Sequence, residues 1–165
     1  MSGQNNVLKK TREPKPKIQD IALNHLEEDN LANFLNFLEF LQSIKLTARW
    51  HAHNSWSVNH KGKTICYIQL RKERSWTIQH NGLLFEEYDR YILDDELKKF
   101  VWNNMRSPIC APNCYGRSMM VMGKKIDTVC YCWPFLQDNM NGAALEHLKN
   151  IIEVRKNIIA DNHAK

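Results

Sequence analysis

Four of the five cysteines in this chain fall within 23 residues, in the stretch CAPNCYGRSMMVMGKKIDTVCYC from Cys110 to Cys132. The pattern is C-x3-C, a gap of fifteen residues, then C-x-C. Zinc takes four soft or borderline ligands in a tetrahedron, commonly delivered as two close pairs. Cys110 and Cys114 form one such pair, with Pro112 and Asn113 making the turn between them; Cys130 and Cys132 form the other. The second pair needs a bend. Residues two apart on a strand hold their Cβ atoms about 6.5–7 Å apart, whereas sulfurs around zinc lie under about 4 Å from each other. Pro134, two residues on, offers an end to the strand. His51, His53, His60, His80 and His147 are the histidines that could replace a missing sulfur.

Two other chemistries fit the same residues. Cys110 and Cys114 are close enough along the chain to cycle as a redox pair, with Arg106, Arg117 and Lys124 as cations to lower a thiol pKa. Thioredoxin-type pairs, however, are C-x2-C at a helix N-terminus after a strand, and this loop follows a helix. Alternatively, Cys66, Cys130 and Cys132 sit in strands as small hydrophobes, with Cys110 and Cys114 in an open loop. Density favours metal. The expected site is zinc on Cys110, Cys114 and Cys130, with Cys132 as the fourth ligand, giving an anchor to a stretch, Ser107 to Lys125, that shows no element of its own.

The elements that must position these residues follow from periodicity. DNLANFLNFLEFLQSIK repeats apolar residues at helical spacing, with Asp29 or Asn30 as its cap. From Thr47 the period changes to two. TARWHAHN, SWSVNH, TICYIQL and RSWTIQH read as strands, with Lys61-Gly62 and Asn81-Gly82 as turns. LLFEEYDRYI follows as a further pairing strand, closing a meander from about 47 to 92. Asp94 opens a helix over DDELKKFVWNNM, and IDTVCYCW is a last strand. AALEHLKNIIEVRKNIIA closes the chain as a long helix. Its apolar face carries Leu145, Leu148, Ile151, Ile152, Val154, Ile158 and Ile159, opposite Lys149, Glu153, Arg155 and Lys156. The expected class is therefore α+β: an antiparallel sheet of four to five strands with two long helices, about 30–44 and 143–160, packed on one face.

Aromatic residues stand out on the meander. Trp50, Trp56, Tyr67 and Trp76 are interleaved with Arg49, His60, Lys63, Arg71, Lys72 and Arg74. Exposed, such a surface would stack single-stranded nucleic acid. Their alternation with polar residues places Trp56, Tyr67 and Trp76 on the buried face instead, which argues against nucleic acid. The same four residues are the candidates for an apolar ligand pocket between sheet and helices, or for a surface that meets another protein or a second copy of the chain.

Composition sets the outer limits. At 165 residues the chain can bury a core without disulfides. Residues 1–18 read as a disordered basic tail, and 19–165 as one domain. Of the net charge of +5, the tail carries four, so the remainder is close to neutral. No apolar run reaches membrane-spanning length and no secretory signal is visible, so the expectation is a cytoplasmic protein with reduced thiols. The phosphate-loop, dinucleotide, HExxH and nucleophile-elbow motifs are absent. The segment MGKKIDTVCYC, with WPFLQDNMNGAALEHLKNIIEVRK after it, resembles the C-terminal half of small uncharacterised bacterial proteins. In these a paired-cysteine loop precedes G-K-x-(I/F)-D-x-V-C and a final helix. The resemblance covers roughly the last third of the chain and sets Cys110, Cys114 and Cys130 at motif positions, although C-x3-C departs from the C-x2-C of that pattern. It implies no activity. A zinc-stabilised domain that binds a small molecule or a protein, without catalysis, is the reading that remains.

Overall fold

The computed structural model describes residues 15–71, 74–80, 85–107, 115–130, 135–138 and 140–164. In chain order its elements are α1 (Ile18–His25), α2 (Glu28–Ser43), β1 (Ala48–Ala52), β2 (Ser55–His60), β3 (Lys63–Arg71), β4 (Ser75–His80), α3 (Phe85–Tyr88), α4 (Asp95–Asn103), β5 (Gly116–Val121), β6 (Lys124–Cys130), β7 (Phe135–Asp138) and α5 (Gly142–Asn162). The class is α+β. A five-stranded antiparallel sheet runs β1-β2-β3-β4-β7, and β5-β6 form a separate hairpin.

The period-two segment folds as its pattern dictates. Trp50 lies opposite Trp56, Trp56 opposite Ile68, and Ile68 opposite Ile78, so one face of the sheet is a continuous apolar surface. Polar residues take the other face, where Gln79 Nε2 donates to Gln69 Oε1 at 2.9 Å. The Lys61–Gly62 turn has both φ values positive, 45° and 75°, the twist that a two-residue hairpin requires.

Helices α2 and α5 cover the apolar face. Phe34 and Phe37 of α2 set their rings 5.1 and 5.6 Å from the ring of Trp76. Leu145, Leu148, Ile152 and Ile159 of α5 enter the same core, while Ile151 and Ile158 face a second core with Tyr88, Ile92, Leu97, Val101, Val121 and Phe135. Helix α5 is thus the wall shared by both cores. Among the described residues no helix is long and apolar enough to cross a membrane.

Several expectations need correction. The segment read as a further strand after Gly82 contains the short helix Phe85–Tyr88; the fifth strand of the sheet is β7, contributed from beyond Pro134. The cap of α2 is Glu27, not Asp29 or Asn30, because the helix begins at Glu28, three residues before Leu31 opens its apolar stripe. Within the stretch 107–125, expected to lack structure, GRSMMV forms β5 and pairs with β6 through a Met122–Gly123 turn whose φ values are 49° and 77°. IDTVC therefore belongs to this hairpin rather than to the meander. Residues 1–14 of the expected tail, and the Asn81-Gly82 turn, lie outside the described residues; Ile18, at the expected end of the tail, is buried and starts α1.

Candidate functional site

The cysteine site can be followed only at Cys130, because Cys110, Cys114 and Cys132 lie outside the described residues. Cys130 ends β6 and is fully buried. Its backbone N–H donates to Arg106 O at 2.7 Å, and it pairs with Gly116 at the start of β5. Met105 in turn bridges to Phe135, the first residue of β7. The chain just before Pro108, just after Cys114, just before Tyr131 and just after Pro134 is therefore tied together by backbone pairing. Among the described residues no three His, Cys, Asp or Glu side chains gather as a metal would require. The candidate histidines are scattered: His51 packs on Tyr67 at 5.0 Å between ring centroids, His147 on Phe100 at 4.9 Å, and His80 on Phe135 at 5.0 Å.

The four aromatic candidates separate into distinct environments. Trp76 is wholly inside the core between α2 and the sheet. Tyr67, one strand position out of phase with the tryptophans, lies with Ser57 and Gln79 on the opposite face. Its expected burial among the tryptophans is corrected: it is half-buried against His51. Trp50 and Trp56 stay together, edge to face at 5.3 Å and 87°, and line a recess of about 370 Å³. Leu38 and Leu41 of α2 and Leu46 form its apolar floor, with Ile18 at the start of α1 on its rim. The recess exists because α1 and α2 cover the sheet out to Trp56 but leave the ring of Trp50, on the edge strand, half-buried.

A polar cluster that the sequence reading missed lies where the two cores meet. Continuing the β3–β4 register one step past Tyr67–Gln79 sets Cys66 beside His80, both fully buried. Arg155 of α5 reaches across them: its Nε and Nη2 donate to Thr64 O at 3.3 and 3.1 Å, and its charge acts on the buried Tyr88 hydroxyl. Burial pushes the Cys66 thiol up to about 12, with Arg155 pulling weakly the other way. Burial, reinforced by the Arg155 charge, holds the His80 imidazole down at about 3. Tyr88 rises to about 12, again chiefly through burial. All three are uncharged near neutrality, so none is poised for proton transfer at pH 7. Neither ring nitrogen of His80 has a hydrogen-bond partner among the described residues.

Two sequence signals could have located this cluster. Arg155 follows Leu148 by seven residues, which returns it to the apolar face of α5 rather than the solvent face assigned to it. His80 follows Trp76 and Ile78 in strict alternation, which points it inward. No protein-family model matches the chain, and neither a curated protein nor a solved structure does.

Proposed function

We propose that this protein is a ligand-binding domain that takes a small apolar molecule in the recess beside Trp50 and Trp56, with its cysteine segment held by zinc. The recess carries the reading. Its volume of about 370 Å³ is in the range of small-molecule sites, roughly 300–1,000 Å³, and an indole wall over a leucine floor suits an apolar, ring-sized ligand. A neutral fluorescent probe, N-phenyl-1-naphthylamine, tests it directly. Saturable one-site binding that weakens about tenfold in Trp50→Ala supports the recess, a loss equivalent to about 1.4 kcal/mol. Binding that is non-saturable, or untouched by that substitution, ends the assignment.

The zinc part of the proposal is supported at the junction around Cys130. That thiol is buried, as a structural ligand would be. Along the chain Cys114 and Cys132 stand two residues from the paired Gly116 and Cys130, and Cys110 stands four from Arg106, whose carbonyl accepts from Cys130 N. At about 3.3–3.6 Å per residue, covalent reach alone keeps each within about 7–14 Å of its nearest tied residue. Zinc bound to Cys110, Cys114, Cys130 and Cys132 would close the remaining gap and would need the reduced thiols of a cytoplasmic setting. Elemental analysis of protein purified without a chelating tag should find about one zinc per chain and four thiols protected until chelator is added. Metal-free protein in which the thiols of Cys110, Cys114 and Cys132 react at the same rate with and without chelator overturns it.

A further inference from the structure

The β2–β3 turn and the C-terminal part of α5 together concentrate positive charge that the composition does not require. Outside the tail the chain is close to neutral, yet His60, Lys61 and Lys63 of the β2–β3 turn meet Arg155, Lys156 and His163 at the end of α5. Among the described residues Lys61, Lys63 and Lys156 form no ion pair; Lys61 Nζ instead reaches Ala160 O at 3.5 Å. The crowding is felt by His60. Its imidazole is held below the ordinary 6.5, first by burial, then by the charges of Lys156, Lys61 and His163. Its buried Nε2 has no hydrogen-bond partner among the described residues.

Three of these groups, Lys63, Arg155 and His163, line a recess of about 480 Å³ between α3, α5 and the start of β3, and His60, Lys61 and Lys156 stand outside its lining. Lys63, Arg155 and His163 line its cationic side, and Tyr88, Ile158 and Ile159 its apolar side. The acid in the lining, Glu87, lies within 3.5 Å of the side-chain amide of Asn162. Like charges gathered in one place repel, and with Glu87 as the one acid in the lining among the described residues an added anion relieves that repulsion. A flat basic patch would serve a polyanion; a recess with an apolar wall suits a discrete molecule. We propose that this recess binds a small organic anion, with a phosphate or carboxylate against Lys63, Arg155 and His163 and an apolar body against Tyr88, Ile158 and Ile159. The site is separate from the recess at Trp50 and does not depend on that assignment.

The test titrates the full chain with octyl phosphate, octanoate, octanol and inorganic phosphate while following the imidazole resonances of His60 and His163. Octyl phosphate or octanoate should saturate at least about tenfold more tightly than either octanol or inorganic phosphate, and the order of the two sets the head group. Binding should raise the His60 pKa, because a bound anion offsets Lys156 and Lys61. A Lys63→Gln/Lys156→Gln double variant should lose about tenfold in affinity, and Trp50→Ala should lose none. Three results overturn the proposal. These are octyl phosphate and octanoate both binding no better than inorganic phosphate, binding that survives the double variant or vanishes with Trp50→Ala, and a single-stranded oligonucleotide that shifts the same resonances and binds more tightly than either amphiphile.

Discussion

Burial of His80 makes the stability of this protein depend on pH in a calculable way. Its imidazole is fully enclosed against Phe135, and its pKa falls from an ordinary 6.5 to about 3. Between those values the unfolded chain binds a proton at this residue and the native chain does not. Stability is therefore fully present above about pH 6.5 and declines as pH falls, by up to about 1.4 kcal/mol per pH unit, levelling off below about pH 3. At pH 5 the loss from His80 alone is about 2 kcal/mol, a sizeable part of the roughly 5–15 kcal/mol that holds a domain together. The assay is urea unfolding of wild type and His80→Gln at pH 7.5 and pH 5, at constant ionic strength. The variant's absolute stability is immaterial, because the quantity read is the change in the difference between the two proteins. That difference should move by about 2 kcal/mol in favour of the variant on acidification. A difference that stays flat, or a native His80 resonance that titrates near 6.5, refutes the reasoning.

Other substitutions separate packing from backbone conformation. Trp76→Ala should cost about 3–5 kcal/mol in chemical denaturation, because it removes the ring on which Phe34 and Phe37 both pack; Trp50→Ala, at a half-buried edge position, should cost clearly less. Gly123→Ala should cost roughly 1 kcal/mol, entirely through its φ of 77°, since an added Cβ meets nothing within 4 Å. Gly123→Asn, which tolerates that conformation, should recover most of the loss in the same measurement.

Local pattern was sufficient wherever a residue's environment is set by its near neighbours in the chain. The alternation of Trp56 and Val58, and of Trp76 and Ile78, declared a buried sheet face. The spacing of Phe34, Phe37, Leu38 and Leu41 declared the helix that covers it, and Asp94 declared its helix start, where Oδ1 accepts from Leu97 N at 2.7 Å. The Gly62 turn was legible for the same reason: a tight hairpin is a local object. Sequence also marked the cysteine cluster by density and Trp50 and Trp56 by type.

What only the tertiary structure decided is which of these residues share a space. That β7, rather than the segment after Gly82, pairs with β4 depends on a contact between residues nearly sixty positions apart along the chain, and periodicity carries no such information. The inward turn of Arg155 required knowing that Thr64 and Tyr88 would stand opposite it, since an arginine on a helix is otherwise assigned to water. Trp50 and Trp76 are the same residue type in similar strands. One lines an open recess and the other fills the core, because α2 reaches the middle of the sheet and stops short of its edge.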